Sequence, residues 1–540
     1  MAGLKLLNPE QMPLGAKITR NVAYNGVRLI LLAPLPLVVI PFFLKKLGTS
    51  GYGTWAIFLA VNGLTSLADL GLVTALSKHV AEFYAVKDFP ALRRLINTGL
   101  VLYLGIAGLL AGILWISSSF LLTALFRGSP IPARELEILW YYLILLVFAN
   151  ILTLFLSSVV IGLQRMDLSA GINSLNILCA AGLSILFLSW NWGLRGVLYA
   201  YVLAAWIAAF IYVYVAHGLL PEVRLSLASC RWAVAKEILG FGLTAYVTTI
   251  AVVIHNQIEK VYLAHFVGVV PVGLYDISSD LALKLRAIPS FVLGPIMPAA
   301  SELHALTDQS RLVHLYYRTH KYLALIGVPL LVYVTFVSKH FVELWVGPSL
   351  SMIAMPLSTL LIVNFINVMT GPGLSILVGG GILKPGVYSA ILGIVSNVTM
   401  SLFLIRAFGF RGAVIGTSLA LMIGSVSFLY MFRQKTGNTY SGVLRRAYTK
   451  PVVCCLAIVA GFWLFTGKEH WSWARLVFEG IIFGTAYLLS LLLVRFFDDR
   501  DVDIVESFFP IARIARRIIP DAKLGCALLP DSESASTASR

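Results

Sequence analysis

Residues 97–122 read NTGLVLYLGIAGLLAGILWISSSFLL, a stretch without a single Asp, Glu, Lys or Arg. The hydrocarbon core of a bilayer, about 30 Å thick, asks for about 20 apolar residues per crossing helix. The stretch therefore reads as a membrane span, not as the shorter core helix of a soluble domain. Working outward, the chain carries fourteen such runs, near 21–44, 54–77, 97–122, 138–162, 171–190, 196–216, 238–262, 270–298, 322–338, 352–380, 385–404, 413–432, 451–467 and 476–494. The expected fold is an all-α polytopic membrane protein of about fourteen transmembrane helices.

Composition agrees. Of 540 residues 59% are hydrophobic and only 12% charged, with a mean hydropathy of +0.87. A water-soluble chain carries about twice that charge. The net charge of +16 would by itself suggest a nucleic-acid partner, but Lys and Arg lie between the apolar runs, where membrane orientation accounts for them. No nucleic acid is expected to bind. The first run follows Lys5, Lys17 and Arg20, exceeds the apolar region of a signal peptide and lacks a small-residue cleavage pattern, so it reads as a retained helix. Cys179, Cys230, Cys454, Cys455 and Cys526 have no metal-site or disulfide spacing.

With the N-terminus inside, 27 of the 41 Lys and Arg fall in cytoplasmic segments and 10 in outer ones. The positive-inside rule then puts both termini in the cytoplasm of a multi-pass inner-membrane protein. Lys45 and Lys46 lie on the wrong side. The longest outer connection, residues 123–137, is too short for a folded domain, so function must lie inside the bundle. Tyr141, Tyr142, Trp190, Trp192, Trp471 and Trp473 near the outer ends fit an aromatic belt, with sugar stacking as the rival role. The tail 502–519, with Phe508, Phe509, Ile511 and Ile518 beside Arg513, Arg516 and Arg517, suits an interfacial helix on anionic lipid or a solvated one.

Internal symmetry is the most informative pattern. Gly48 to Leu95 aligns with Gly268 to Leu315 at an offset of 220, pairing Gly48 with Gly268, Gly53 with Gly273, Glu82 with Glu302, Asp88 with Asp308 and Leu92 with Leu312. Residues 193–196 (GLRG) match 409–412 (GFRG) at an offset of 216. Six spans per copy make a parallel repeat about an axis along the membrane normal, the geometry of alternating access. The expected organisation is an N-terminal six-helix lobe (1–220), a C-terminal six-helix lobe (235–435), two appended helices (451–495) and a cytoplasmic amphipathic and disordered tail (496–540).

Three stretches carry a family resemblance: LGTSGYGTWAIFLAVNGLTSLADLGLVTALSKHVAEFYA from Leu47, GLYDISSDLALKLRAIPSFVLGPIMPAASELHA from Gly273, and GFRGAVIGTSLA from Gly409. They resemble the polysaccharide-transport proteins, the repeat-unit flippases for O-antigen and capsule within the multidrug/oligosaccharidyl-lipid/polysaccharide exporter superfamily. The resemblance implies a two-lobed flippase that turns a polyprenyl-diphosphate-linked oligosaccharide to the outer leaflet. Lipid II flippases and cation-coupled multidrug exporters share the fold, so both stay open as alternatives. A membrane glycan polymerase or ligase is a more distant rival, since those families carry a large outer loop. The chain has no GxxxxGK[ST], HExxH, paired CxxC or GxSxG pattern, and reads as a non-enzyme without a cofactor. Expected partners are the lipid-linked glycan, membrane lipids, a coupling cation or proton, and glycan assembly proteins.

Eight charged residues fall within the predicted spans of the lobes: Arg28, Asp69, Glu259, Lys260, Asp276, Asp280, Lys284 and Arg286. Each costs roughly 2.5–3.5 kcal/mol at a lipid-facing helix centre, so they must face one another or a wet cavity. Structural pairing is one reading, with Asp280 and Lys284 one turn apart. Ligand recognition is the other: Asp276, Asp280 and Lys284 share a stripe, and their repeat equivalents Ala56, Ala60 and Leu64 are apolar. For a diphosphate, Arg28, Lys284 and Arg286 form the expected clamp, since Arg offers a planar fork and Lys a point charge. Asp276, Asp280, Asp69 and Glu259 are the candidates for ion coupling. Asp69 also suits helix packing, and Glu259 with Lys260 suits an external gate or an interfacial pair. His255 suits a proton-coupled step or simple packing. Pro34, Pro36, Pro41 and Pro289 are candidate hinges, because each removes a backbone donor.

Overall fold

The computed structural model describes residues 32, 34–221, 230–437, 440, 442–465, 471–498 and 501, and among these it is helical, with no strand. Helix α1 runs Leu35–Thr65, α2 Leu72–Ala85, α3 Phe89–Ile116, α4 Ser118–Leu125, α5 Ala133–Gly162, α6 Met166–Ser189 and α7 Gly193–Leu219. After them come α8 Trp232–Phe266, α9 Val269–Ser290, α10 Ile296–Ala305, α11 Gln309–Val346, α12 Ala354–Val368, α13 Gly371–Gly379, α14 Lys384–Phe408 and α15 Phe410–Thr436. The last two are α16 Val443–Phe465 and α17 Trp473–Leu493.

Eleven helical segments among the described residues are long and apolar enough to cross a membrane, which makes the chain a multi-pass membrane protein. They match eleven of the fourteen expected runs, so the count of fourteen is not confirmed. The first run falls largely on residues outside the description. The seventh lies in α8, several of whose residues between 241 and 251 have side chains outside the description. The second is not one helix: α1 ends at Thr65, a 3-10 turn covers Ser66–Asp69, and Leu70 and Gly71 adopt left-handed conformations before α2 begins. Two other expected spans are also broken. Residues 270–298 pass from α9 through a 3-10 turn at Phe291–Leu293 into α10, and 352–380 divide into α12 and α13 at Gly371 and Pro372. The ninth is longer than its apolar run, since α11 continues for 38 residues.

The sharp bend in α1 falls at Gly48, whose φ of 69° only glycine adopts without strain. Pro34 and Pro36 stand at the start of α1, where a missing N–H breaks no helical bond, while Pro41 lies inside it and Pro289 in the last turn of α9. Arg28 and the tail 502–519 lie outside the described residues. The four described cysteines, Cys179, Cys230, Cys454 and Cys455, are free.

Local geometry recurs at the spacing read from the sequence. Asp88 caps α3 by accepting from Ala91 N at 2.9 Å, directly after Lys87 at φ 58°. Asp308 caps α11 by accepting from Arg311 N at 2.9 Å, directly after Thr307 at φ 55°. Helices α2, α3, α5, α6 and α7 pack among themselves, and α9, α11, α12, α14 and α15 do likewise. The two sets meet where α8 and α9 lie against α1, α2 and α3. One hydrophobic cluster runs through that junction, from Ile40 and Phe43 to Ala413 and Val414. A second binds α16 and α17 to α11 through Val328, Cys455, Phe483 and Tyr487. The exposed surface is rich in Leu, Val, Phe and Trp, the inversion expected of a bundle solvated by lipid.

Candidate functional site

Helices α8 and α9 carry the charges at the junction. Glu259 and Lys260 are consecutive on α8, about 100° apart around its axis, so they address different neighbours. Lys260 reaches across to α9, where its Nζ lies 2.5 Å from Asp276 Oδ1. Tyr52 of α1 donates from Oη to Asp276 Oδ2 at 2.9 Å. Lys260 and Asp276 are buried at 9% and 5% exposure, so this link joins the two sets of helices away from solvent. An ion pair in that setting overcomes its desolvation only when further hydrogen bonds complete it, and Tyr52 supplies one.

Glu259 turns the other way and is fully buried. Its Oε1 accepts from Asn397 Nδ2 of α14 at 2.5 Å and from Thr417 Oγ1 of α15 at 2.7 Å, with Ser401 Oγ at 3.5 Å. Thr417 also meets Tyr275 Oη at 2.7 Å. Glu259 Oε2 and Asn397 Oδ1 have no hydrogen-bond partner among the described residues. The expectation of an interfacial Glu259–Lys260 pair is thus corrected: the two side chains are interior and take separate partners.

Asp280 and Lys284 meet one turn apart on α9, Nζ to Oδ1 at 3.7 Å, with side chains 37% and 49% exposed. Such an exposed i,i+4 pair contributes only about 0.3–0.5 kcal/mol and leaves both groups available. Arg286, two residues on from Lys284, leaves the helix on another face and crosses to α12. Its Nη1 donates to Asn364 Oδ1 at 3.0 Å and its Nη2 to Asn367 Oδ1 at 2.9 Å. No carboxylate pairs with Arg286 among the described residues. A cavity of about 160 Å³ lies beside these groups, lined by His255, Gln257, Lys260, Asp280, Asn364 and Thr417 among others.

Asp69 stands apart from this cluster. Its Oδ1 accepts from Val73 N at 3.2 Å and from Tyr103 Oη at 3.0 Å, which fastens the start of α2 to α3. Of the predicted site residues, the structure thus groups Glu259, Asp276, Asp280, Lys284 and Arg286 around α8 and α9. Sequence reasoning missed Tyr52, Asn364, Asn367, Asn397 and Thr417. Carboxamides inside apolar spans were the available signal: Asn364 and Asn367 sit one turn apart in a helix without a charged residue.

Comparisons with known proteins bear on this arrangement. Residues 18–304 match the profile of the family described as "Polysaccharide biosynthesis protein". A protein named "Putative O-antigen transporter" from Shigella flexneri is 19% identical over 400 residues, covering 73% of this chain and 94% of that protein. Among solved structures, the lipid II flippase MurJ in an inward closed conformation is similar with a TM-score of 0.70 at 14% identity, over 87% of this chain and 98% of that one. An inward-facing multidrug resistance transporter of the MATE family, of the MOP superfamily, is similar with a TM-score of 0.59 at 16% identity, over 76% and 96%. At these identities the structures establish a shared fold.

Proposed function

Because the chain belongs to the polysaccharide biosynthesis protein family, we propose that it is a flippase carrying a polyprenyl-diphosphate-linked oligosaccharide across the cytoplasmic membrane by alternating access. The observation that carries this reading is the charged core where α1 meets α8 and α9, built from Tyr52, Lys260, Asp276, Asp280, Lys284 and Arg286 inside an apolar bundle. A diphosphate with its sugars cannot enter hydrocarbon without replacement of its water and counterions. Arg28, Lys284 and Arg286 are the proposed replacements, and Asp276 and Asp280 moderate their affinity so that the substrate is released.

The moving parts are two six-helix lobes, residues 1–220 and 235–435, related by a near two-fold axis, with α16 and α17 as an appendage. Matching caps at Asp88 and Asp308 support the repeat. The link from Tyr52 through Asp276 to Lys260 is a gate that is closed in this conformation, and both termini are cytoplasmic. Glu259 is the proposed coupling carboxylate. Glu259 Oε2, without a hydrogen-bond partner among the described residues, supports it, since a proton would occupy that buried acceptor. Membrane lipids and glycan assembly proteins are the further proposed partners. Pro34, Pro36, Pro41 and Pro289 remain the proposed hinges.

Depletion of the protein tests the reading. A lipid-linked oligosaccharide of the surface-glycan type should accumulate on the inner leaflet. Accumulation of lipid II instead would favour the peptidoglycan-precursor alternative, and unchanged intermediates with heightened sensitivity to toxic organic cations would favour a drug exporter.

A further inference from the structure

Arg286 is held in an unusual way for a cation inside a bundle. Its two terminal nitrogens each donate to a carboxamide oxygen, Nη1 to Asn364 at 3.0 Å and Nη2 to Asn367 at 2.9 Å. The orientation of the Asn364 amide is fixed from behind. Asn364 Nδ2 donates to the Leu360 carbonyl at 2.8 Å, which can only accept, so Oδ1 must face the guanidinium. Asn367 Nδ2 donates to Ser425 Oγ of α15 at 3.2 Å, and the guanidinium, which can only donate, turns Asn367 Oδ1 toward itself. Two oxygens one turn apart on α12 therefore match the planar fork of the guanidinium.

A carboxylate at either position would hold the fork more strongly, but it would also cancel the charge. A carboxamide fixes the geometry and leaves the charge whole. It also leaves free at least two of the five guanidinium N–H groups. Asn364 is buried at 5% exposure and lines the cavity that Lys260 and Asp280 also line, so the residue that holds the cation belongs to the wall of that space. We propose that Asn364 and Asn367 are positioning residues: they orient Arg286 for an anionic phosphate while withholding the countercharge that would neutralise it. The proposal rests on the reading of Arg286 as a diphosphate ligand, and goes beyond it by assigning the residues that keep that ligand charged.

The test is Asn367→Asp, whose neighbour Ser425 Oγ can donate to a carboxylate, with Asn364→Asp as a second variant that also gives up the bond to the Leu360 carbonyl. Each keeps the side-chain shape, keeps or strengthens the contact to Arg286, and removes its net charge. Both are compared with wild type and Arg286→Ala for surface-glycan export in a deletion strain. Detergent-purified protein is also titrated with undecaprenyl diphosphate, with thermal stability read in the absence of lipid. The expected result is an inserted Asn367→Asp variant at least as heat-resistant as wild type, with export lost and undecaprenyl diphosphate bound at least ten-fold more weakly in both variants. A merely structural contact predicts the same heat resistance with export and binding retained, and wild-type export and binding by either stable Asp variant overturns the proposal. If both Asp variants fail to accumulate in the membrane, the contact does not tolerate a charge pair, and the proposal is likewise overturned. Full export by Arg286→Ala would instead remove the diphosphate reading itself.

Discussion

Gly273 packs on Gly53 so closely that a Cβ on Gly273 would stand 3.0 Å from the Gly53 Cα and 3.1 Å from its nitrogen. These glycines occupy equivalent positions of the two aligned stretches, 220 residues apart. Two points exchanged by a two-fold axis can touch only if both lie beside it, so the contact marks where the proposed axis passes between α1 and α9.

Bulk at this contact should hold that end of the junction apart. In Gly53→Val, a cysteine replacing the buried Val269 in a cysteine-free background should react with a membrane-impermeant maleimide several-fold faster than with Gly53 intact. Equal labelling in the two backgrounds would mean that the glycine contact does not govern closure.

Lys260 and Asp276 should behave as an obligate pair. Removing one partner of a buried ion pair costs about 3–5 kcal/mol, because the other charge is left uncompensated, whereas replacing both with apolar residues is often neutral. Thermal unfolding in detergent should show a large loss for Lys260→Ala or Asp276→Ala, and recovery in Lys260→Met with Asp276→Leu. Export should stay lost in the recovered double variant, since the gate would no longer reopen onto charged groups.

The segment after α17 is stapled to α11. Buried Lys321 meets Asp501 and lies 3.2 Å from Asp498 Oδ2, Tyr322 Oη donates to Asp501 Oδ1 at 2.7 Å, and Arg318 approaches Asp498 at 3.6 Å. Burial works to raise the Asp498 carboxyl, but Lys321 and Arg318 outweigh it and hold it below the usual carboxylate range. A depressed folded-state value gives stabilisation that is complete above about pH 4, the unfolded value, and is lost as pH falls through the lower folded one. Limited proteolysis after α17 should accelerate on acidification below pH 4, and at neutral pH in Lys321→Ala. Unchanged cleavage in Lys321→Ala would show that apolar packing alone holds the segment.

Orientation is open to a direct check. With 27 loop Lys and Arg proposed inside and 10 outside, a C-terminal fusion should be active as a cytoplasmic fluorescent reporter and inactive as a periplasmic phosphatase. The reverse pattern would invert the gate assignment.

The sequence made much of this architecture legible because lipid imposes a simple rule: apolar length alone reveals a span. That rule found the eleven confirmed segments and failed where helices answer to other demands. The break at Ser66–Gly71 depends on backbone conformations at Leu70 and Gly71 that a hydropathy run averages away. At the site, charged residues were easy to find because each is costly in the membrane, while their partners were not. Nothing in spacing indicates that Lys260 chooses Asp276 over adjacent Glu259. That choice comes from which helices pack on each side of α8, α9 beside Lys260 and α14 with α15 beside Glu259. The amide and hydroxyl partners Asn364, Asn397 and Thr417 are uncharged, and so were overlooked although they decide what the charges do.

The central claim is that the cations of the bundle carry the diphosphate of a lipid-linked glycan. The most direct measurement is surface-glycan export, with lipid-linked intermediates quantified in parallel, for Arg28→Ala, Lys284→Ala and Arg286→Ala, each inserted at the wild-type level. The account predicts that each single substitution abolishes or strongly reduces export while the intermediate accumulates on the inner leaflet, and that Arg28→Lys restores only part of it. Full export by all three Ala variants would contradict the account.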